Sequence, residues 1–253
     1  MTEQLFNLHG KVAMVTGCNT GLGQAMAVAL AEAGCDIVGV NHSNAGDTPE
    51  KVASLGRQFY GFTADLSQQT ELSDIVEQAV SAAGRLDILV NNAGIIRRTN
   101  AIDFTEQDWD DVMNVNLKSV FFLSQLVARE FEKQKSGGKI INIASMLSFQ
   151  GGIQVPSYTA SKSGVMGLTR LLANEWAGKG INVNAIAPGY MQTNNTQALR
   201  DDEQRNKEIL SRIPAQRWGE PQDLAGPTVF LASNASDYVN GYTIAVDGGW
   251  LAR

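Results

Sequence analysis

The chain has 253 residues, 43% hydrophobic and 18% charged, with a formal net charge of −6. Those proportions suit one large soluble α/β domain with a substantial core, and the acidic balance argues against nucleic acid or an anionic membrane surface as a partner. Two cysteines (Cys18, Cys35) and two separated histidines (His9, His42) supply neither a disulfide framework nor a metal-ligand set, so no metal is expected.

The N-terminus lacks a basic and apolar leader, and no apolar run reaches about 18 residues, so the expected location is the cytoplasm. Residues 11–16 (KVAMVT) form a short apolar run between Gly10 and Gly17, and residues 22–33 are rich in helix formers. Strand, glycine turn and helix follow from that pattern. The turn carries Gly17, Gly21 and Gly23. In that order they suit a tight turn, close approach of a pyrophosphate and close packing of the helix, whose N-terminus offers free N–H groups to phosphate.

Residues 36–40 read as the second strand, ending at Asn41, His42 and Ser43. An acid at this point would bind a ribose 2′-hydroxyl and an arginine a 2′-phosphate. With no Lys or Arg here, NAD is expected in preference to NADP. A helix over 49–55, a strand over 58–63 and a helix over 69–83 come next. Asp65, beside Leu66, is either an adenine contact or a helix cap. Residues 86–90 form the fourth strand and run into Asn91, Asn92, Ala93 and Gly94, a crevice floor or a plain turn. One long helix is expected over 106–133, with Asn114 and Asn116 in its middle. Asn is a poor interior helix residue, so Asn116 marks a distortion near the site or an exposed position.

The fifth strand, residues 139–144, delivers Ser145. In a helix after Pro156, Tyr158 and Lys162 are four residues apart and share one face. A free phenol has a pKa of about 10, and a fixed cation nearby favours the phenolate. Tyr158 is therefore a candidate to exchange a proton with an alcohol or carbonyl oxygen, which Ser145 would hold by a hydrogen bond. A sixth strand over 181–187 ends in Pro188-Gly189. Residues 190–214 have no strong apolar period and read as a long loop, a candidate lid. A helix over 221–233 and a strand over 242–246 close the chain. Alternating strands and helices imply a doubly wound, mostly parallel seven-stranded sheet of Rossmann type, in a single domain with helices on both faces. Apolar residues over 121–127 and 165–172 exceed one sheet's needs and suggest a homo-oligomer.

With TGxxxGxG at 16–23, NNAG at 91–94, Asn116, Ser145, Tyr158, Lys162 and Pro188-Gly189 in order, the whole chain resembles a short-chain dehydrogenase/reductase. The resemblance implies a catalytic set of Tyr158 as general acid/base, Ser145 on the substrate oxygen, Lys162 lowering the phenol and holding the nicotinamide ribose, and Asn116 on a relay water. It implies cofactor contacts from Gly17, Asn19, Gly21, Leu22, Gly23, Asn41, Asp65, Leu66, Asn92, Ala93 and Gly94, and from Pro188, Gly189, Met191 and Thr193. It also implies a tetramer. Asn41 departs from the Asp usual in NAD-dependent relatives.

More narrowly, residues 91–98 (NNAGIIRR), 145–164, 187–197 and 239–253 look like the 2-dehydro-3-deoxy-D-gluconate 5-dehydrogenase family. That resemblance implies NAD-dependent interconversion of 2-dehydro-3-deoxy-D-gluconate and 3-deoxy-D-glycero-2,5-hexodiulosonate in pectin and uronate breakdown. For such a carboxylate, Arg97 and Arg98 are candidate guanidinium partners, and Gln150, Gln154, Asn194 and Asn195 are candidates for the hydroxyls. The rival readings are a sister activity on gluconate or 3-oxoacyl substrates, and a non-catalytic NAD-binding sensor.

Overall fold

The computed structural model describes residues 2–253. Its strands are β1 (Val12–Thr16), β2 (Asp36–Asn41), β3 (Phe59–Thr63), β4 (Ile88–Asn91), β5 (Gly138–Ile143), β6 (Ile181–Pro188) and β7 (Thr243–Val246). They form one sheet in the order β3-β2-β1-β4-β5-β6-β7, and every pairing is parallel. The sheet is thus fully, rather than mostly, parallel. Such a sheet is covered on both faces, and its central strands are accordingly apolar without alternation: all five residues of β1 are buried.

Helices α1 (Thr2–Phe6), α2 (Gly21–Glu32), α3 (Thr48–Ser54), α4 (Gln69–Ala83), α5 (Glu106–Met113), α6 (Ser119–Gln134) and α7 (Pro156–Trp176) precede β6, and α8 (Gln197–Asp201), α9 (Glu203–Arg212) and α10 (Ala225–Ala232) follow it. On one face Met14, Val38, Leu89 and Ile140 pack against Leu72 of α4, Phe131 of α6 and Leu172 of α7. On the other, Val15, Ile37, Val90 and Ile141 meet Met26 and Leu30 of α2 and Leu231 of α10. Strand order reverses at β1, between β2 and β4, and the carboxyl ends of the strands open there into the crevice where such sheets hold ligands.

Three local readings are corrected. The helix expected over 106–133 is two helices joined by a π-helical turn, Asn114–Lys118, which buries Asn116 completely. Extra residues of this kind cluster at functional sites. The supposed loop over 190–214 holds α8 and α9. The α9 N-cap is Asp202, whose Oδ1 accepts from the Arg205 N–H at 2.9 Å, and only Ile209 of α9 is buried, so the stretch reads as polar. The helix expected over 221–233 opens as a 3-10 turn, Pro221–Leu224, before α10. The α1 helix had no expectation. Among the described residues no helix is long and apolar enough to cross a membrane.

Candidate functional site

At the β1–α2 turn the backbone itself forms the wall. Gly17 and Gly21 have φ of +64° and +56°, in the left-handed region that favours glycine. Gly23 is a steric requirement instead, because a Cβ there would lie 2.0 Å from the Gly17 carbonyl oxygen. The Thr20 N-cap makes no side-chain cap bond, so the first N–H groups of α2 stay free for an anion. Thr16 Oγ1 accepts from the N–H groups of Asn92 and Ala93, each at 3.0 Å, and Asn92 Nδ2 donates to the Thr16 and Gly17 carbonyls at 2.9 and 3.0 Å. These bonds clamp the NNAG turn onto the glycine turn.

A cleft of about 490 Å³ runs from this turn along the strand ends. Gly17, Asn19, Gly21, Leu22, Gly23, Asp65, Leu66, Asn92, Ala93, Gly94 and Thr193 all line it. Asn41 does not, which corrects the expectation. Side chains alternate along a strand, so Val40 and His42 face the cleft and Asn41 faces away. Asn41 is 3% exposed; its Nδ2 donates to Cys18 Sγ at 3.6 Å and its Oδ1 has no partner. His42 and Ser43 stand at the cleft instead. The alternation along β2 was the signal for them, once the strand is known to reach Asn41. Asp65 is not the helix cap, since Gln68 holds that position; its Oδ1 accepts from the Ser67 N–H at 2.9 Å. That bond and the Ser67 hydroxyl hold its carboxyl below the usual range.

At the other end, β5 stops at Ile143, whose carbonyl accepts from Lys162 Nζ at 2.6 Å. Ser145 caps the 3-10 turn Met146–Ser148: its Oγ accepts from the Leu147 N–H at 3.1 Å, leaving its own proton to donate. Ser148 Oγ donates to the Lys162 carbonyl at 2.6 Å and ties this turn to α7. Pro156 starts α7 at its first turn, where its missing N–H is harmless. Tyr158 and Lys162 then share a face, with Nζ 5.8 Å from the ring centre, and both line the cleft with Ile143.

The electrostatics of this pair correct the simple expectation. Tyr158 is only half-buried as a residue, but its phenol is enclosed, and desolvation raises it above its ordinary value; the Ser145 hydroxyl and the charge of Arg98 pull it back down. Lys162 is itself brought down to about 8 by burial. Spacing alone suggested a cation lowering a phenol. Burial acts on both groups and disfavours the charged form of each.

Asn116 does not face the cleft. Its Oδ1 accepts from the Ile95 N–H at 2.8 Å and its Nδ2 donates to the Ile95 carbonyl at 2.9 Å, so the amide fixes the chain after NNAG. A Cβ at Gly94 would sit 3.2 Å from Asn116 Oδ1 and 3.7 Å from Lys162 Nζ, so this glycine keeps the two groups close.

The remaining candidates divide. Asn194 and Asn195 line the cleft, whereas Pro188, Gly189, Met191, Gln150 and Gln154 do not. Pro188 pairs with Val246 in the sheet, a Cβ at Gly189 would meet Asp247 at 2.6 Å, and Met191 is buried against Gly219. Gln154, at φ +62°, donates to Asn100 Oδ1 at 3.0 Å. Arg97 is turned into an acidic pair, 3.4 Å from Asp108 and 3.1 Å from Asp111. Arg98 donates to the Asn195 carbonyl at 3.1 Å.

A glycine-built anion turn and a Tyr–Lys pair at opposite ends of one cleft, with Ser145 beside the phenol, on a doubly wound parallel sheet, mark the class as an oxidoreductase of the short-chain type. The chain belongs to the short-chain dehydrogenase/reductase family: the family model described as enoyl-(acyl carrier protein) reductase matches residues 17–251. A protein of Dickeya dadantii (strain 3937) named 2-dehydro-3-deoxy-D-gluconate 5-dehydrogenase is 73% identical over 253 residues, 100% of both chains. The Bacillus subtilis (strain 168) protein of the same name is 57% identical, over 98% of this chain and 97% of its own. A solved structure of a gluconate 5-dehydrogenase from Burkholderia cenocepacia J2315, in complex with NADP and tartrate, superposes with a TM-score of 0.96 at 37% identity and covers 100% of each chain.

Proposed function

We propose that this protein oxidises the hydroxyl of a sugar acid, interconverting 2-dehydro-3-deoxy-D-gluconate and 3-deoxy-D-glycero-2,5-hexodiulosonate with a nicotinamide dinucleotide. The observation that carries the reading is the meeting of Tyr158 and Lys162 at the end of a cleft that begins at the glycine turn, with the Ser145 hydroxyl beside the phenol. The names of the Dickeya and Bacillus relatives support the substrate. Tartrate in the Burkholderia protein supports a hydroxy acid as the substrate class.

In the oxidative direction Tyr158 takes the alcohol proton after releasing its own to solvent; burial opposes that release, and the Ser145 hydroxyl and the charge of Arg98 offset the opposition in part. Ser145, already accepting from Leu147, donates to the same oxygen and holds it. Lys162 stays largely protonated at neutral pH and is fixed by the Ile143 carbonyl. Asn116 holds the Ile95 backbone, and with it the turn between cleft and Lys162. A dinucleotide held in the cleft would supply the acceptor for the hydride of the carbinol carbon. The free N–H groups of α2 and the turn at Gly17, Gly21 and Gly23 would hold its phosphates, with Asp65, His42 and Ser43 toward the adenosine.

NAD is the preferred cofactor in this reading, because among the described residues no Lys or Arg lines the cleft beside His42 and Ser43 and the only lining carboxylate is Asp65. NADP is the second reading, favoured by the NADP in the Burkholderia relative. The segment 190–214, with α8 and α9, serves as the lid, and the partly exposed Trp109, Phe122 and Leu171 support a homo-oligomer.

A substrate panel tests the reading: 2-dehydro-3-deoxy-D-gluconate, gluconate, a 3-oxoacyl thioester and an enoyl thioester, each with NAD(H) and NADP(H), followed by reduced-nicotinamide absorbance. The fastest turnover is expected for 2-dehydro-3-deoxy-D-gluconate with NAD. A preference for either thioester would overturn the reading.

A further inference from the structure

Adjacent arginines leave the NNAG turn in different company. Arg97 is held between Asp108 and Asp111. Arg98 has no carboxylate within ion-pair distance among the described residues, and its Nη2 rests 3.1 Å from a neutral acceptor, the Asn195 carbonyl. Asn195 lines the same cleft as Tyr158 and belongs to the short 3-10 turn Asn194–Thr196 that leads into α8 and α9. An exposed guanidinium on a neutral carbonyl is an exchangeable arrangement: a carboxylate accepts two parallel N–H groups, and charge-assisted bonds are about twice as strong as neutral ones. The Asn195 carbonyl lies at the surface, where water can replace the lost donor.

We propose that Arg98, and not Arg97, reads the substrate carboxylate, exchanging the Asn195 carbonyl for it and so coupling carboxylate binding to the segment that bears Asn194, Asn195 and α8. The inference rests on the sugar-acid reading for its substrate class. A second consequence follows from the same placement. Lys162, on the same helix, has its Nζ 5.8 Å from the Tyr158 ring centre, Arg98 in the turn after β4 is the charged group whose field lowers the phenol, and the lining carboxylate, Asp65, stands at the far, β3 end. Arg98 therefore also holds the phenol down, against its burial.

Arg98→Gln and Arg98→Lys test this in two ways. In steady state, the KM for the hydroxy acid is compared with that for its uncharged primary amide. Arg98→Gln is expected to raise the acid's KM by about 30-fold, the loss of one bond to a charged group, and to leave the amide's KM nearly unchanged; Arg98→Lys recovers part of the acid's affinity. The other readout needs no turnover: tyrosinate absorbance is titrated with the Tyr158→Phe signal subtracted. Removing the cation shifts Tyr158 to higher pH in Arg98→Gln, and Arg98→Lys restores it. If Arg98→Gln keeps the wild-type preference for acid over amide, or weakens both alike as a merely structural residue would, the proposal is overturned. If the wild type oxidises acid and amide equally well, the proposal falls while the dehydrogenase reading stands. If it oxidises neither, that reading falls, and an unmoved tyrosinate titration would overturn the hold of Arg98 on Tyr158 as well.

Discussion

The two ends of the cleft are built from different materials. The end proposed for the phosphates is backbone: two glycines with positive φ, a third that admits no Cβ, and free N–H groups at α2. The end proposed for the chemistry is side chain: a serine capping a 3-10 turn, an enclosed phenol, and a lysine held to a strand's last carbonyl. Backbone geometry cannot be tuned by its surroundings, only broken. Side-chain chemistry is set by burial and by neighbours that come from other elements, so the same residue types can be strong or weak reagents.

The largest effect tests the backbone end. In Gly23→Ala the new methyl meets the Gly17 carbonyl at 2.0 Å, and the turn must shift. A destabilisation of about 3 kcal/mol and loss of NADH binding are expected, measured by denaturant unfolding and fluorescence titration. Unaltered NADH binding in a folded Gly23→Ala protein would mean that the turn does not form the phosphate wall.

A smaller effect tests the chemical end. Lys162 has a folded value of about 8 against an ordinary 10.5, a gap worth on the order of 3 kcal/mol. The sign follows from proton binding. Between these values the unfolded chain holds the proton and the folded chain does not, so the penalty is full below pH 8 and fades as pH rises toward 10.5. Wild-type stability should therefore rise across that window relative to Lys162→Met, which carries no such penalty and should be inactive without being less stable at neutral pH. Parallel stability curves for the two proteins would show that the ammonium is not desolvated, and the contrast between the two ends would narrow.

This division also explains what the sequence made legible. Strands such as β1 stood out because their apolar residues are continuous between glycines, and the Tyr158–Lys162 spacing survived intact because a helix fixes it locally. The facing of Asn41 was not legible without the extent of β2, since a one-residue uncertainty turns a side chain to the other face. Whether Arg97 or Arg98 is available depends on where α5 sets Asp108 and Asp111, which no local pattern states. Spacing predicts that Lys162 lowers Tyr158, but the outcome depends on how deeply both are buried, and burial is a property of the assembled fold. α9 carries no legible apolar period, because Ile209 is its one buried residue.

The central claim, that Tyr158 takes the hydroxyl proton as a sugar acid is oxidised, is tested most directly by Tyr158→Phe. Turnover of 2-dehydro-3-deoxy-D-gluconate is measured beside NADH binding on the same preparation. The account predicts a fall in kcat of about 10³-fold with NADH affinity within a few-fold of wild type. Turnover within tenfold of wild type, with NADH still bound, would contradict it.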